Sequence, residues 1–304
     1  MTNIRVILHG KAAADERVRA AVQIARKQGH HVEVRVTWEI GDTERLTVEA
    51  VHEAEQRGID CIVAGGGDGT VNAVFAAAYG AGLPATCSLG ILPLGTANDF
   101  ARTADIPADD MAAALLIAAN ATPRPIDMGL IDGQLFVNLV SGGFGSRVTA
   151  ETDPRLKKQL GGLAYAMTGI ARFTELVANH GRFTADGFEW EGDFLSLAIG
   201  NGRYAGGGIP LCPDALLDDG LLDLMIIPAL DQTSRFDIFS RLLLEGTSGL
   251  RSKLPTVRSS WISYESDHEL NINLDGEPRA LKSFRVEAQR RVLPVRLGEA
   301  AFLS

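Results

Sequence analysis

The sequence predicts an α/β domain followed by a mostly antiparallel β domain, and three observations carry that reading. Short apolar runs alternate with helical segments over roughly the first 120 residues. Two of those runs end in glycine-bearing turns that lead into helices, "IVAGGGDGTVNAV" (62–74) and "GILPLGTANDFAR" (90–102). Beyond about residue 123 the segments shorten and strand patterns dominate. At 304 residues the chain has room for two modest domains.

In chain order, "IRVILHG" (4–10) is an apolar run suited to a buried strand, and residues 15–28 read as a helix stopped by Gly29. In "HVEVRVT" (31–37), Val32, Val34 and Val36 alternate with Glu33 and Arg35, which is strand period. Asp42 or Thr43 is placed to cap a helix ending at Gly58. "IDCIVA" (59–64) and "SLGILPL" (88–94) are further strands. Strands separated by helices of this length form βαβ units and a parallel sheet, the Rossmann-like arrangement of a nucleotide-binding domain. After residue 123, "RPIDMGLIDGQLFVNLVS" is two strand-like runs around Asp132-Gly133, a favoured hairpin turn. Helices are expected at 156–178 and near 233–245, and strands at 193–200, 221–227, 257–264, 268–274, 283–288 and 291–297. The cleft between the two domains is the default ligand site.

Composition excludes several classes. A formal net charge of −9 argues against a broad nucleic-acid surface and against constitutive attachment to anionic lipid. No window approaches 18 unbroken apolar residues, and "MTNIRVILHGK" enters strand-like sequence without a signal-peptide cleavage site. Cys61, Cys87 and Cys212 are isolated, which fits a reducing cytoplasm. Six histidines show no ligand spacing for zinc, and no serine sits in a G-x-S-x-G elbow.

The two loops point to phosphate. Glycine frees backbone amides to converge on an anion, and a helix N-terminus adds about +0.5 of an elementary charge. Gly65, Gly66, Gly67 and Gly69 allow close approach, Thr70 can cap the helix or bond an oxygen, and no P-loop lysine is present. Asp68 faces a cation or serves as a structural cap; the residues leave both open. In a parallel sheet both loops emerge at the C-terminal edge of the strands, as a cradle for a nucleotide.

GGGDGT followed closely by PLGTANDFAR resembles the diacylglycerol kinase and sphingosine kinase superfamily, and within it the bacterial YegS-like lipid kinases. "VRVTWEIGD" (34–42), "SGGFGSRVT" (141–149), "GNGRYAGGG" (200–208), "LCPDALLDDGLLDL" (211–224) and "NLDGEP" (273–278) extend the resemblance over both halves. NAD kinases and phosphofructokinases share the GGDG loop but not PLGTANDFAR. Two positions depart from the family pattern: His9 stands where asparagine is usual before glycine, and Ala73 where glutamate is usual.

The resemblance implies an ATP-binding domain over 1–123, completed by residues 292–304, and a β-sandwich lipid domain over 124–291. It implies ATP against Thr37, Gly66, Gly67, Asp68, Gly69, Thr70 and Thr96, with Mg²⁺ (or Ca²⁺) neutralising the phosphates. Asp68, Asp99 and Asp127, at strand–loop junctions, are placed to organise that ion. The DGE triplet matches the position of the catalytic acid. Glu277 is the first choice for the base, with Asp275 as its partner or rival, since neighbouring carboxylates hold a proton more tightly. A second ion, supporting structure or regulation, is implied at Asp219 with the carbonyls of Leu216 and Leu221. Arg203 is placed near a phosphate by the family match alone. The implied partner is a membrane lipid with a free hydroxyl, such as diacylglycerol, phosphatidylglycerol or a sphingoid base. The protein would be cytoplasmic and reach the inner face of the membrane transiently; no nucleic acid and no protein partner is implied. "PRLKKQLGGLAYAMTGIARF" (154–173), with Arg155, Lys157 and Lys158, is read as a bilayer contact, a flank of the lipid channel, or a buried helix with one charged end. The rivals are a NAD kinase-like phosphotransferase and a nucleotide-binding regulatory module without catalysis.

Overall fold

A computed structural model describes residues 1–143, 178–229 and 254–304. The helices expected at 156–178 and 233–245 fall outside these residues but for Ala178, as does the basic-apolar stretch 154–173.

The first third alternates as expected: β1 (Asn3–Leu8), α1 (Glu16–Lys27), β2 (His31–Val36), α2 (Asp42–Arg57), β3 (Cys61–Gly66), α3 (Asp68–Gly80), β4 (Ser88–Pro93), α4 (Asp99–Thr103) and α5 (Met111–Asn120). β1 to β4 are parallel in the order β4-β3-β1-β2. Because β2 and β3 flank β1 on opposite sides, the connections diverge between β1 and β3, and loops there splay into a crevice. α1 is capped by Asp15 and ends before Gly29 at φ 90°. Asp42 does not cap α2, whose N-cap is Gly41; its carboxylate reaches back to the amides of Trp38 and Glu39 and is held at about 2 by them and by Arg45. Val36, at the end of the edge strand β2, is exposed.

The rest is β-rich: β5 (Pro123–Ile131), β6 (Gln134–Phe136), β7 (Leu139–Gly143), β8 (Asn179–Ala185), β9 (Phe188–Gly200), β10 (Tyr204–Ala205), β11 (Ile209–Pro210), β12 (Leu222–Pro228), β13 (Thr256–Ser259), β14 (Trp261–Leu274) and β15 (Glu277–Arg296). The β5–β6 turn is at Asp132-Gly133, both with positive φ. The four strands expected between 257 and 297 are the short β13 and the long β14 and β15. β14 and β15 pair along their length with a register shift between Glu265 and Leu270, and β15 shifts again against β5 between Gln289 and Leu293. Those irregularities break the hydrophobic alternation, so each long strand reads as two. β8 had no distinct signal.

Among the described residues thirteen strands join into one sheet, with β10 and β11 paired separately, because β15 bridges the halves: it pairs with β14 and β5, and its end runs parallel to β4 at Val295–Leu89. Leu293, Val295 and Leu297 thereby enter the core of the α/β half. A second core gathers Phe183, Phe194, Tyr264 and Phe284. β12 feeds that core with Leu222, Leu224 and Ile226, and a third, smaller core on its other face with Met225 and Ile227. Both faces of β12 are therefore covered, which explains the apolar run Leu224–Ile227 after Asp223.

One residue of β1 defies its apolar setting. Arg5 is 2% exposed and bonds Glu33 of β2 at 2.7 Å and Glu53 of α2 at 3.1 Å. A buried guanidinium is tolerable only while its partners remain. The Arg5→Ala variant is expected to lose about 3 kcal/mol in urea unfolding; a loss under about 0.5 kcal/mol would reduce the network to a surface ion pair.

Candidate active site

The glycine loops close on one another. At the end of β3, a Cβ on Gly66 would lie 2.3 Å from Thr70 Oγ1, so only glycine lets the first turn of α3 fold against the strand. The Leu94 amide donates to the Gly66 carbonyl at 2.8 Å. A Cβ on Gly95 would stand 2.5 Å from the Gly67 Cα, so the two backbones touch where a side chain would sit. Asn98, in the left-handed region at φ 51°, accepts the Gly95 amide at 2.8 Å and donates back to its carbonyl at 3.0 Å. Asp68 Oδ1 accepts the Phe100 amide at 3.0 Å, tying the start of α3 to α4. The capping role left open for Asp68 is thus played across the loops, with Oδ2 outside that bond.

A third element faces them. Asp275 and Gly276, with φ 46° and 106°, form the tight turn between β14 and β15. The Asp275 carboxylate accepts the amides of Val137 and Asn138 on Oδ2 (2.8 and 3.1 Å) and that of Leu139 on Oδ1 (2.9 Å). Burial pushes its pKa up to about 6; the three amides oppose the shift and the like charge of Asp68 adds to it. Because the folded value lies above the ordinary 3.8, this group's contribution to stability is fully present below about 3.8 and lost as pH rises through about 6. Asp99 is buried and raised in the same direction, by burial first, while the amides of Gly207 and Gly208 grip it at 2.7–3.1 Å.

Between α2, α3, the β5–β6 turn and the β14–β15 turn lies a cleft of about 560 Å³. Asp275 and Glu277 line one end, and Ala73, Ala76 and Ala77 of α3 with Val48 of α2 line its walls. Glu277 is exposed and receives one long hydrogen bond, 3.5 Å from Gln134 Nε2. Thr37 is buried at the end of β2 and accepts the Gly10 amide at 3.1 Å. Thr70 is half-buried, and Gly69 and Thr96 are exposed on their loops. Sequence reasoning missed Asn72 and Gln134, which also line the cleft, and the amide trio at 137–139; a lone amide side chain and a backbone donor leave no motif to find.

Three residues with expected roles, Arg203, Asp219 and Asp127, have protein partners of their own. Arg203 stacks on Phe302 at 3.5 Å and donates to the Ala215 carbonyl, so it fastens the C-terminal residues rather than facing the glycine loops. Asp219 lies in the loop with Leu216 and Leu221, but its carboxylate accepts the Leu221 amide at 3.0 Å and pairs with the Arg258 guanidinium, which also bonds Asp223 at 3.2 Å. The Arg258 guanidinium is the cation that answers Asp219 in this arrangement. Among the described residues no three His, Cys, Asp or Glu side chains converge as metal ligands. Asp127, fully buried, does not reach the glycine loops through its bonds; it holds the amides of Gly220 and Arg291 at 2.6 Å and so anchors this same acidic loop.

Glycine loops at a switch point, faced by a half-buried carboxylate from a second domain, define a two-domain phosphotransferase architecture. Residues 3–131 match the family model described as "Diacylglycerol kinase catalytic domain", and residues 138–297 match "YegS C-terminal NAD kinase beta sandwich-like domain". A protein of Pseudomonas aeruginosa (strain UCBPP-PA14) described as "Probable lipid kinase YegS-like" is 49% identical over 297 residues, covering 97% of this chain and 94% of that protein. One of Pseudomonas syringae pv. tomato (strain ATCC BAA-871 / DC3000), with the same description, is 50% identical over 293 residues, covering 96% and 92%. A crystal structure from Bacillus anthracis str. Sterne described as a diacylglycerol kinase superposes with a TM-score of 0.76 at 24% identity over 98% of each chain, a likeness of fold. This chain belongs to the diacylglycerol kinase catalytic-domain family, and it is a transferase.

The Arg258–Asp219 pair gives a direct expectation: the wild-type melting temperature is unmoved by EDTA or added Mg²⁺, and Arg258→Gln makes it rise with Mg²⁺. A wild type that loses stability in EDTA would contradict the pairing.

Proposed function

We propose that this protein is an ATP-dependent lipid kinase in which Asp275 is the general base. The observation that supports it is the placement of Asp275: half-buried at the cleft, gripped by three backbone amides, with a pKa pushed up to about 6, and within electrostatic reach of Asp68 at the glycine loops. A base that titrates just below neutral pH is ionised at work and still accepts a proton readily. Three amides occupy most of its lone pairs and fix its orientation, leaving room for one donor on Oδ1. That donor is the lipid hydroxyl. Its proton passes to Asp275, its oxygen bonds the γ-phosphorus, and the bond from phosphorus to the β–γ bridging oxygen breaks to release ADP.

The amides of Gly66, Gly67 and Gly69 and the hydroxyls of Thr70 and Thr96 hold the ATP phosphates, with Thr37 at the edge of the same crevice. Asp68 fits a Mg²⁺ carried by ATP, since Oδ2 takes no hydrogen bond among the described residues; that ion supplies neutralisation of the phosphate charge. Glu277, on the exposed rim, orients the acceptor rather than deprotonating it. The nucleotide domain of this reading spans 1–123 with 292–304, and the lipid domain 124–291. The protein works from the cytoplasm at the inner membrane face; among the described residues no helix is long and apolar enough to cross a membrane. An apolar-walled cleft whose lining, among the described residues, holds no lysine or arginine favours a lipid over the phosphates of NAD. Asp275 held at about 6 favours a working enzyme over a regulatory module.

The test is transfer of labelled γ-phosphate from Mg-ATP to lipid vesicles and, in parallel, to NAD. Label is expected in lipid, with kcat/KM falling below pH about 6 as Asp275 protonates. Asp275→Asn is expected to lower kcat about 10³-fold, whereas Glu277→Gln keeps the acid limb. Label in NAD alone would refute the acceptor. A Glu277→Gln enzyme without that limb would return the base to Glu277.

A further inference from the structure

Two amide oxygens beside the proposed base have no partner. Asn72 is 9% exposed, and its Oδ1 is buried without a hydrogen bond; Gln134 Oε1 is likewise buried and unpaired. Both residues line the cleft that holds Asp275 and Glu277. Native proteins rarely leave buried acceptors unanswered, because a lost partner costs the full desolvation of the group. The Gln134 amide is oriented by its other end: Nε2 donates to Glu277 Oε2, so oxygen is the atom left over. Two orphaned acceptors in one cleft call for two donors.

The cleft's charge narrows what brings them. Its lining includes the carboxylates of Glu44, Asp275 and Glu277 and the imidazole of His52, with no lysine or arginine among the described residues. A phosphodiester or an ester carbonyl offers these groups no proton, and a phosphodiester adds like charge. Hydroxyl and ammonium groups suit them, and reproduce the bonds of any water they displace.

We infer that Asn72 and Gln134 bind the acceptor headgroup, and that this headgroup is neutral or cationic and carries hydrogen-bond donors beyond the hydroxyl that is phosphorylated. The inference rests on the lipid-kinase reading and sharpens it: a polyol or an amino alcohol is preferred to a lipid with one hydroxyl or with an anionic headgroup.

The experiment measures acceptor KM in dioleoylphosphatidylcholine vesicles carrying one of four probes. Dioleoylglycerol has one hydroxyl, monooleoylglycerol has two, sphinganine has an amine with hydroxyls, and dioleoylphosphatidylglycerol has two hydroxyls and a phosphodiester. The KM for monooleoylglycerol or sphinganine is expected to lie about tenfold below those for the other two, the gap one buried hydrogen bond makes. Which of the two is lower separates a polyol from an amine. Asn72→Leu and Gln134→Leu should each shrink that gap toward one, and Asn72→Leu should not lower the melting temperature, because it removes an unpaired acceptor. A preference for dioleoylglycerol or dioleoylphosphatidylglycerol overturns the inference and leaves the lipid kinase standing. So does a gap that both variants preserve. Transfer to none of the four lipids overturns the lipid reading and the inference with it.

Discussion

The site depends on the contact between Gly67 and Gly95. With the Gly95 Cβ position only 2.5 Å from the Gly67 Cα, neither loop keeps its place beside the other once a side chain intervenes. Everything at the mouth of the sheet follows from that approach. It puts Asp68 within reach of the Phe100 amide and starts α4 beside α3. The parallel strands supply the platform, since β3 and β4 are neighbours in register from Cys61–Ser88 to Gly66–Pro93.

Acidic side chains then join the two halves. Asp275 belongs to the β-rich half yet senses the charge of Asp68 on α3. Asp99, at the start of α4, is gripped by glycines from the β10–β11 turn. Asp127, on β5, anchors the loop before β12 and the bend in β15. Each carboxylate is satisfied mainly by backbone amides, which suits groups whose burial alone would favour the neutral form. The Arg258 pair completes the pattern at the far end of this acidic run, where a protein cation, not a bound one, balances Asp219.

Much of the fold was legible in the sequence because period and punctuation agree in the first half. Gly29 and Gly58 end helices in the left-handed region, and Asp132-Gly133 turns a hairpin, as their chemistry dictates. The short β13 and the long β14 and β15 were read as four strands because irregularities in the long ones interrupt alternation without ending the strand. The glycine loops and Asp275 were legible through motif spacing. What Asp275 does was not, since its donors at 137–139 are backbone amides that no residue type announces. Asn72 and Gln134 were invisible for the opposite reason: their meaning lies in partners they lack. The Arg258–Asp219 pair spans 39 residues, and only the register of β12 against β13 brings it together.

The most direct test of the central claim, that the paired glycine backbones form the nucleotide cradle, is calorimetric titration of wild type and Gly95→Ala with a non-hydrolysable ATP analogue and Mg²⁺. The account predicts at least about a tenfold loss of affinity, the worth of one charge-assisted hydrogen bond, with the far-ultraviolet spectrum unchanged. Equal affinity in the two proteins would contradict it and move the nucleotide away from these loops.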